Sequence, residues 1–152
     1  MITRMFAGVA ALLCAACAGA PPPTGTGAEL RPCPSSPNCV SSRATDEAHR
    51  VEPLPLRGTA AEGLAAIRQV ILAMPRSRIT AAGPGFLRAE FTSLIFRFVD
   101  DVDIVVDETA SVLHVRSAAR VGQSDLGVNR RRVGEMRDRL ANLPPLAVDP
   151  KR

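Results

Sequence analysis

The densest group of polar side chains in the sequence lies between Arg116 and Arg132, in the run R-S-A-A-R-V-G-Q-S-D-L-G-V-N-R-R-R. It contains five arginines, two serines, one aspartate and one asparagine. The pattern predicts that a strand ends here, that the chain turns at Gly122, and that a helix begins near Ser124 and Asp125. Either residue can cap the free N–H groups of the first helical turn. Because such N–H groups and guanidinium groups both attract anions, the stretch is a candidate phosphate or carboxylate site.

The anion-site hypothesis gives several polar residues of this stretch a role. Arg116, Arg120 and Arg130 would hold the anion, because a planar guanidinium offers a fork of hydrogen-bond donors. Asp125 or Asn129 would orient it. The candidate ligand-binding residues are Arg116, Ser117, Arg120, Ser124, Asp125, Asn129 and Arg130.

A structural interpretation competes with the anion site. In it, Asp100 or Asp101 forms an ion pair with one of the arginines, Arg116 or Arg120. Asn129 holds the turn that follows the strand. Ion pairs of this kind produce charge clusters without any ligand, and we favour this interpretation.

A hydrolytic site is a third hypothesis. His114, an aspartate from residues 95–107 and a serine from the Ser35–Ser36 or Ser41–Ser42 pair could form a nucleophilic triad. The sequence has no G-x-S-x-G segment around these serines. The aspartates also lack the D-x-D-x-D-G spacing of a calcium loop. We therefore assign no catalytic residue, no metal and no cofactor.

Two cysteines, Cys33 and Cys39, flank a short segment with two prolines. In an exported protein, cysteines this close most simply form a disulfide. A metal site is the alternative, with His49 and His114 joining the two sulfurs, but structural zinc more often shows C-x2-C spacing. The sequence favours the disulfide.

The N-terminus is typical of an exported bacterial protein. Arg4 precedes an apolar run that ends at Ala16, which predicts a signal peptide over residues 1–16. The run Leu-Cys-Ala-Ala-Cys that ends at Cys17 resembles a lipobox, the motif of lipoproteins cut before a cysteine that becomes lipidated. The alternative is an ordinary cleaved signal. Residues 17–30 are rich in Pro and Gly and predict a tether.

The remaining chain alternates between helical and strand patterns. Thr59 and Glu62 form a capping box ahead of a helix that ends at Pro75. Four strand segments follow, at residues 79–82, 86–93, 95–107 and 112–117, and a second helix covers Leu126 to Asn142.

These elements predict an α+β fold: an antiparallel sheet of three to four strands with two amphipathic helices packed on one face. The single domain spans residues 31–145 and is followed by a tail, 146–152. Phe96 and Phe98 are predicted to point inward, and Asp100 and Asp101 to mark a bulge. The opposite sheet face would carry Arg88, Glu90, Arg97, Asp101, Asp103, His114 and Arg116.

Composition argues against nucleic-acid binding. The net charge of +4 rests almost wholly on arginine, and Lys151 is the only lysine. The chain has no Trp or Tyr and five Phe, which leaves little aromatic surface for stacking bases.

Three motifs in this order resemble the domain-of-unknown-function family 1499: C-P-S-S-P-N-C-V-S-S, I-F-R-F-V-D-D-V-D and L-H-V-R-S-A-A-R-V-G-Q-S-D-L-G-V-N-R-R-R-V. The resemblance covers about residues 31–143 and implies a bacterial envelope protein without established activity. It also implies that the motif positions are Cys33, Cys39, Arg97, Asp100, Asp101, Arg116, Ser117, Arg120, Gly122, Ser124, Asp125 and Asn129.

The sequence therefore predicts a membrane-tethered domain of the cell envelope that acts as a structural or binding module. It is predicted to be exported and anchored through lipidated Cys17, facing the periplasm or cell surface. Ala18 lacks the aspartate that retains many lipoproteins in an inner membrane, which indicates the outer membrane. The predicted partners are the membrane and an anionic small molecule or an envelope protein.

Overall fold

Residues 29–144 are described by a computed structural model. Its elements are β1 (Cys39–Ser41), β2 (Leu54–Pro55), α1 (Ala60–Ala73), β3 (Ser77–Gly83), β4 (Phe86–Thr92), β5 (Val99–Asp107), β6 (Val112–Ala119) and α2 (Val128–Asn142). Four predicted features lie outside the described residues: the signal peptide, the lipidation site at Cys17, most of the tether and the tail at 146–152.

The strands form one antiparallel sheet in the order β1-β6-β5-β4-β3, and β2 also pairs with β6. The α+β class is confirmed, but the sheet has six strands instead of three to four. The sequence pattern missed β1 and β2 because they are three and two residues long. Strands this short contain too few positions to show a period of two.

Both helices cover one face of the sheet and close a single core. Ile67 and Ile71 of α1 and Met136 of α2 are completely buried with Ile104 and Val115 of the sheet. The predicted capping box starts α1, since the Thr59 hydroxyl accepts from the Glu62 N–H at 3.3 Å and the Glu62 carboxylate accepts from the Thr59 N–H at 2.7 Å. Neither described helix has the length and hydropathy needed to cross a membrane.

The segment before β5 differs from the sequence prediction. Residues 93–98 form a turn, and Phe96 and Phe98 are 71% and 44% exposed instead of inward-facing. The turn is closed because the Ser93 N–H donates to the Phe98 carbonyl at 2.8 Å and the Phe98 N–H donates to the Ser93 hydroxyl at 2.8 Å. Apolar alternation continues through the turn, but no helix or strand within residues 29–144 covers it.

Asp100 and Asp101 do not form the predicted bulge. The β4–β5 register passes through them without a shift, pairing Phe91 with Asp100 and Glu90 with Asp101. Because side chains alternate along a strand, Asp100 points into the helix layer and Asp101 points to the opposite face.

The second helix begins two residues later than predicted, at Val128. Leu126 and Gly127 have left-handed φ angles of 53° and 75°, which a helix cannot contain. Asp125 still caps it: its carboxylate accepts from the Gly127 N–H at 3.0 Å and the Asn129 N–H at 2.7 Å. Gly122 makes the predicted turn at φ 89°.

Candidate functional site

The sheet separates the predicted ligand-binding residues into different layers. Arg116 and Ser117 are neighbours on β6 and therefore point to opposite faces. Ser117 is completely buried beneath the helices. Arg116 lies on the opposite face, which no helix of residues 29–144 covers and which we call the open face. The seven predicted residues do not converge on one point.

The helix-side residues form a closed polar network. The Asn129 side-chain oxygen accepts from the Ser117 hydroxyl at 2.6 Å and from the Arg132 guanidinium. The Asn129 amide donates to the Asn38 carbonyl at 3.0 Å. Arg132 also donates to Asp100 at 2.5 Å. These contacts join β5, β6, α2 and Asn38, the residue that precedes β1.

The turn before α2 is also held by its own contacts. The Asn38 amide, instead of the predicted Asn129, donates to the Gly122 carbonyl at 2.6 Å. The Ser124 hydroxyl accepts from the Leu126 N–H at 3.2 Å. Arg130, on the exposed side of α2, donates to the carbonyls of residues 48 and 50 at 2.7 and 2.6 Å.

Arg120 belongs to a charge-balanced group on the open face. Its guanidinium donates to Asp101 at 2.7 and 2.9 Å and to Glu90 at 2.5 Å. Arg78 also pairs with Glu90. The hydrogen bonds that Arg120 donates, chiefly to Asp101 and also to Glu90, raise the pKa of Arg120 despite its partial burial. The charges of the two arginines and the two carboxylates cancel. The ion pair between Asp101 and Arg120 is one of those that the structural interpretation of the sequence predicts.

A second group on the open face has a positive surplus. Three guanidinium groups surround one carboxylate, with N–O distances to Asp103 of 3.4 Å from Arg88, 3.6 Å from Arg116 and 4.0 Å from Arg31. We call these four residues the Asp103 cluster. Burial raises the pKa of Asp103 in spite of the three arginines. The pKa of Arg116 is lowered, mainly because the side chain is buried and also because the charge of Arg31 lies nearby.

The guanidinium of Arg116 has one N–H group without a hydrogen-bond acceptor among residues 29–144. The residue is 7% exposed, and its buried Nε has no hydrogen-bond partner among residues 29–144. Buried donors are paired in most proteins, so this N–H lacks the acceptor that a buried donor usually has.

A pocket of about 290 Å³ borders the Asp103 cluster. Arg31 both lines this pocket and approaches Asp103. Ser41, another lining residue, is paired in register with Arg116. The lining also contains one further cation, Arg43, and one carboxylate, Asp46. Sequence reasoning missed Arg31 and Arg43 because only the pairing of β1 with β6 brings these segments to the open face.

One combination of the residues predicted for a hydrolytic triad comes together: Ser42, His114 and Asp107. The Ser42 hydroxyl lies 3.1 Å from His114 Nδ1, and His114 Nε2 lies 3.4 Å from Asp107. The same Ser42 oxygen accepts from the Val115 N–H at 2.9 Å, which leaves its hydrogen free for His114. The pKa of Asp107 is lowered, mainly by the hydrogen bond from the Ala110 N–H and also by the hydrogen bond with His114.

The predicted disulfide is confirmed. Cys33 and Cys39 are bonded, with their Cα atoms 5.6 Å apart, so their sulfurs are unavailable as metal ligands. In the part of the chain from residue 29 to residue 144, no group of three His, Cys, Asp or Glu side chains is placed to hold a metal ion.

The fold and these groups define a small, disulfide-bonded α+β domain with an ion-paired sheet face. Residues 29–140 match the sequence model described as "Protein of unknown function (DUF1499)". Because the match covers most of the chain, this protein belongs to the domain-of-unknown-function family 1499. A comparison with curated proteins gives no match.

Proposed function

We propose that this protein is a membrane-tethered domain of the cell envelope that binds an anionic group, a phosphate or a carboxylate, at the Asp103 cluster. The observation that carries the proposal is the buried, unpartnered Nε of Arg116 within a group of three arginines and one carboxylate. An arriving anion would accept from that N–H and offset the surplus charge.

The geometry around the cluster supports a compact anion. A volume of about 290 Å³ is at the small end of ligand sites. Arg31 and Arg43 would approach the anion from the pocket wall, with the Thr45 hydroxyl as a further donor. In the empty protein the closely placed arginines repel one another, and an anion removes that repulsion.

The location is proposed from the N-terminal sequence. A basic start, an apolar run and a lipobox-like segment before Cys17 support export and lipidation. Residues 17–30 would then link the lipid to the domain. The open face would be exposed to the periplasm or the cell surface, and Ala18 favours the outer membrane.

Anion-dependent stability tests the proposal. Sulfate and phosphate should raise the melting temperature of the parent protein above its value in chloride of equal ionic strength, because a ligand stabilises the state it binds. Arg116→Met should abolish the rise. Arg68→Met is the matched control, because Arg68 is exposed on α1 and carries the same charge.

Two results would reject the anion site. One is a parent protein whose melting temperature responds equally to sulfate and chloride. The other is a sulfate response of Arg116→Met equal to that of Arg68→Met, which would place the binding elsewhere.

A hydrolase is the second candidate, favoured by the contact between Ser42 and His114. In this mechanism the Ser42 oxygen attacks an ester carbonyl while its proton passes to His114 Nδ1, and Asp107 stabilises the imidazolium. The proton then goes to the leaving alkoxide. Water, deprotonated by the same histidine, releases the acid and restores Ser42.

The anion site ranks above the hydrolase because the backbone near Ser42 is engaged. The Arg43 N–H donates to the Ser41 hydroxyl and the Ala44 N–H donates to the Ser41 carbonyl, so neither is free to stabilise an oxyanion. A fluorophosphonate probe tests the candidate. It should label the parent and a Ser35→Ala control but not Ser42→Ala, and an unlabelled parent would exclude a nucleophilic Ser42.

A further inference from the structure

Exposed apolar side chains are concentrated in two short segments. Among residues 29–144, seven large apolar side chains are exposed, and six of them lie in 94–98 or 126–128. They are Leu94, Ile95, Phe96, Phe98, Leu126 and Val128. Soluble monomers rarely keep such a concentration open to water unless it contacts a partner or a membrane.

The two segments lie at the same end of the sheet. Thr92 of β4 is paired with Val99 of β5 at the turn formed by 93–98. The Arg120 N–H donates to the Val99 carbonyl at 3.1 Å, so the segment that follows β6 leaves beside that turn. We call residues 93–98 and 126–128 the apolar end.

The turn holds its apolar side chains in an ordered arrangement. The Phe96 and Phe98 rings are stacked with their centroids 5.5 Å apart. Arg97 between them takes a left-handed φ of 57°. Two hydrogen bonds between Ser93 and Phe98 close the turn. Ordered exposure of this kind reduces the entropy lost on docking.

Basic residues lie beside the apolar end, and one carboxylate, Glu135, lies near Val128 and Arg131. Arg76, Arg97 and Arg131 are exposed, and residues 93–98 contain no acidic side chain. Arg76 donates to the Thr92 carbonyl and Arg131 to the Leu126 carbonyl, at 3.1 and 2.8 Å. These bonds fix both arginines beside the apolar segments.

We propose that the apolar end inserts shallowly into the surface of an anionic phospholipid bilayer. Phe and Leu side chains enter the boundary between head groups and acyl chains, and the arginines contact anionic head groups. This inference rests on the proposed membrane tether. Between Cys17 and Glu29 the chain can span at most about 40 Å, so an anchored domain stays within reach of the bilayer.

A single tryptophan gives a direct test. The chain has no Trp or Tyr, so Phe96→Trp provides the only strong fluorophore. The full chain is reconstituted in vesicles of phosphatidylcholine and phosphatidylglycerol, with and without brominated acyl chains. Bromine should quench the Phe96→Trp emission roughly twofold or more, with a blue shift, because the ring enters the acyl boundary. Ala110→Trp, on the exposed turn between β5 and β6, should be unaffected.

The outcomes separate the docking inference from the proposed tether. A chain that floats with the vesicles but shows no quenching at position 96 overturns bilayer docking and indicates a protein partner for the apolar end. A chain that neither floats nor carries lipid on Cys17 overturns both proposals. Equal quenching in vesicles of phosphatidylcholine alone overturns the role given to the arginines.

Discussion

Arg132 of α2 donates a 2.5 Å hydrogen bond to Asp100 of β5 inside the helix layer. The same guanidinium lies 4.7 Å from the centroid of the Phe91 ring, so one face of the cation contacts the aromatic ring. Both charged residues are nine-tenths buried. The domain therefore contains an internal ion pair that connects its last helix to the middle of its sheet.

Breaking this pair should strongly destabilise the fold. Asp100→Asn leaves the Arg132 charge buried and uncompensated, which should cost about 3–5 kcal/mol in the free energy of unfolding measured with urea. Glu135→Gln is the control, because Glu135 pairs with Arg139 on the surface and such pairs contribute about 1 kcal/mol or less. Equal losses in the two variants would contradict the argument.

Arg120 should prove structural, in contrast to Arg116. Arg120→Ala leaves Asp101 and Glu90 without their shared cation and should lower the free energy of unfolding by about 2–4 kcal/mol. The rise in melting temperature with sulfate should persist in this variant, because the Asp103 cluster is intact. A stable Arg120→Ala protein that no longer responds to sulfate would place the anion at Arg120.

The Cys33–Cys39 bond should add measurable stability. It closes a loop of seven residues, for which the chain-entropy estimate is about 2.4 kcal/mol. Reduction should lower the urea midpoint while far-ultraviolet circular dichroism keeps its native form. The Cys33→Ser/Cys39→Ser variant should match the reduced parent and not respond to reductant. Loss of the native circular dichroism spectrum on reduction would show that the bond is required for folding.

Sulfate affinity should increase as the pH falls. Burial holds the pKa of Asp103 above its ordinary 3.8, so acidification through the range just above 3.8 protonates Asp103 while sulfate stays dianionic. The cluster then loses its carboxylate, and titration calorimetry should show binding roughly tenfold tighter. The contribution of Asp103 to the free energy of unfolding also depends on pH. Because the pKa of Asp103 is raised in the folded protein, this contribution is present below pH 3.8 and is lost as the pH rises through the raised pKa.

Asp103→Asn is the matched test of that pH dependence. It should bind sulfate at neutral pH with the affinity that the parent reaches in acid, and its affinity should vary little with pH. A pH profile identical to that of the parent would show that another group titrates.

Local patterns in the sequence predicted the elements whose pairing is also local. The Thr59 capping box, the β5–β6 hairpin and the short disulfide loop each depend on residues close in sequence, and each is present in the structure. β1 could not be predicted, because its three residues become a strand only by pairing with β6, more than seventy residues later. The inward orientation of Asp100 was missed for a related reason, since its partner Arg132 belongs to another element.

The candidate site was predicted only in part. Arg116 was identified from its dense polar context, but its neighbours in space are Arg31 and Arg88, which the sequence places far away. The Asp101–Arg120 pair and the Ser42–His114 contact were both among the stated alternatives. The partner that each of these residues contacts depends on the register of the strands. A shift of one residue would move every side chain of a strand to the other face of the sheet.

The disulfide also determines how the domain would carry a mechanical load. A pull on the chain ahead of residue 29 first reaches the buried side chain of Leu30 and then Arg31, whose guanidinium lies 4.0 Å from Asp103. It then meets the covalent Cys33–Cys39 bond, which passes the force to β1 and its pairing with β6. Tension would therefore withdraw Arg31 and lower the charge of the cluster while the sheet stayed intact. If the domain is anchored and binds an anion as proposed, this arrangement would make the anion affinity depend on the distance between the domain and the membrane.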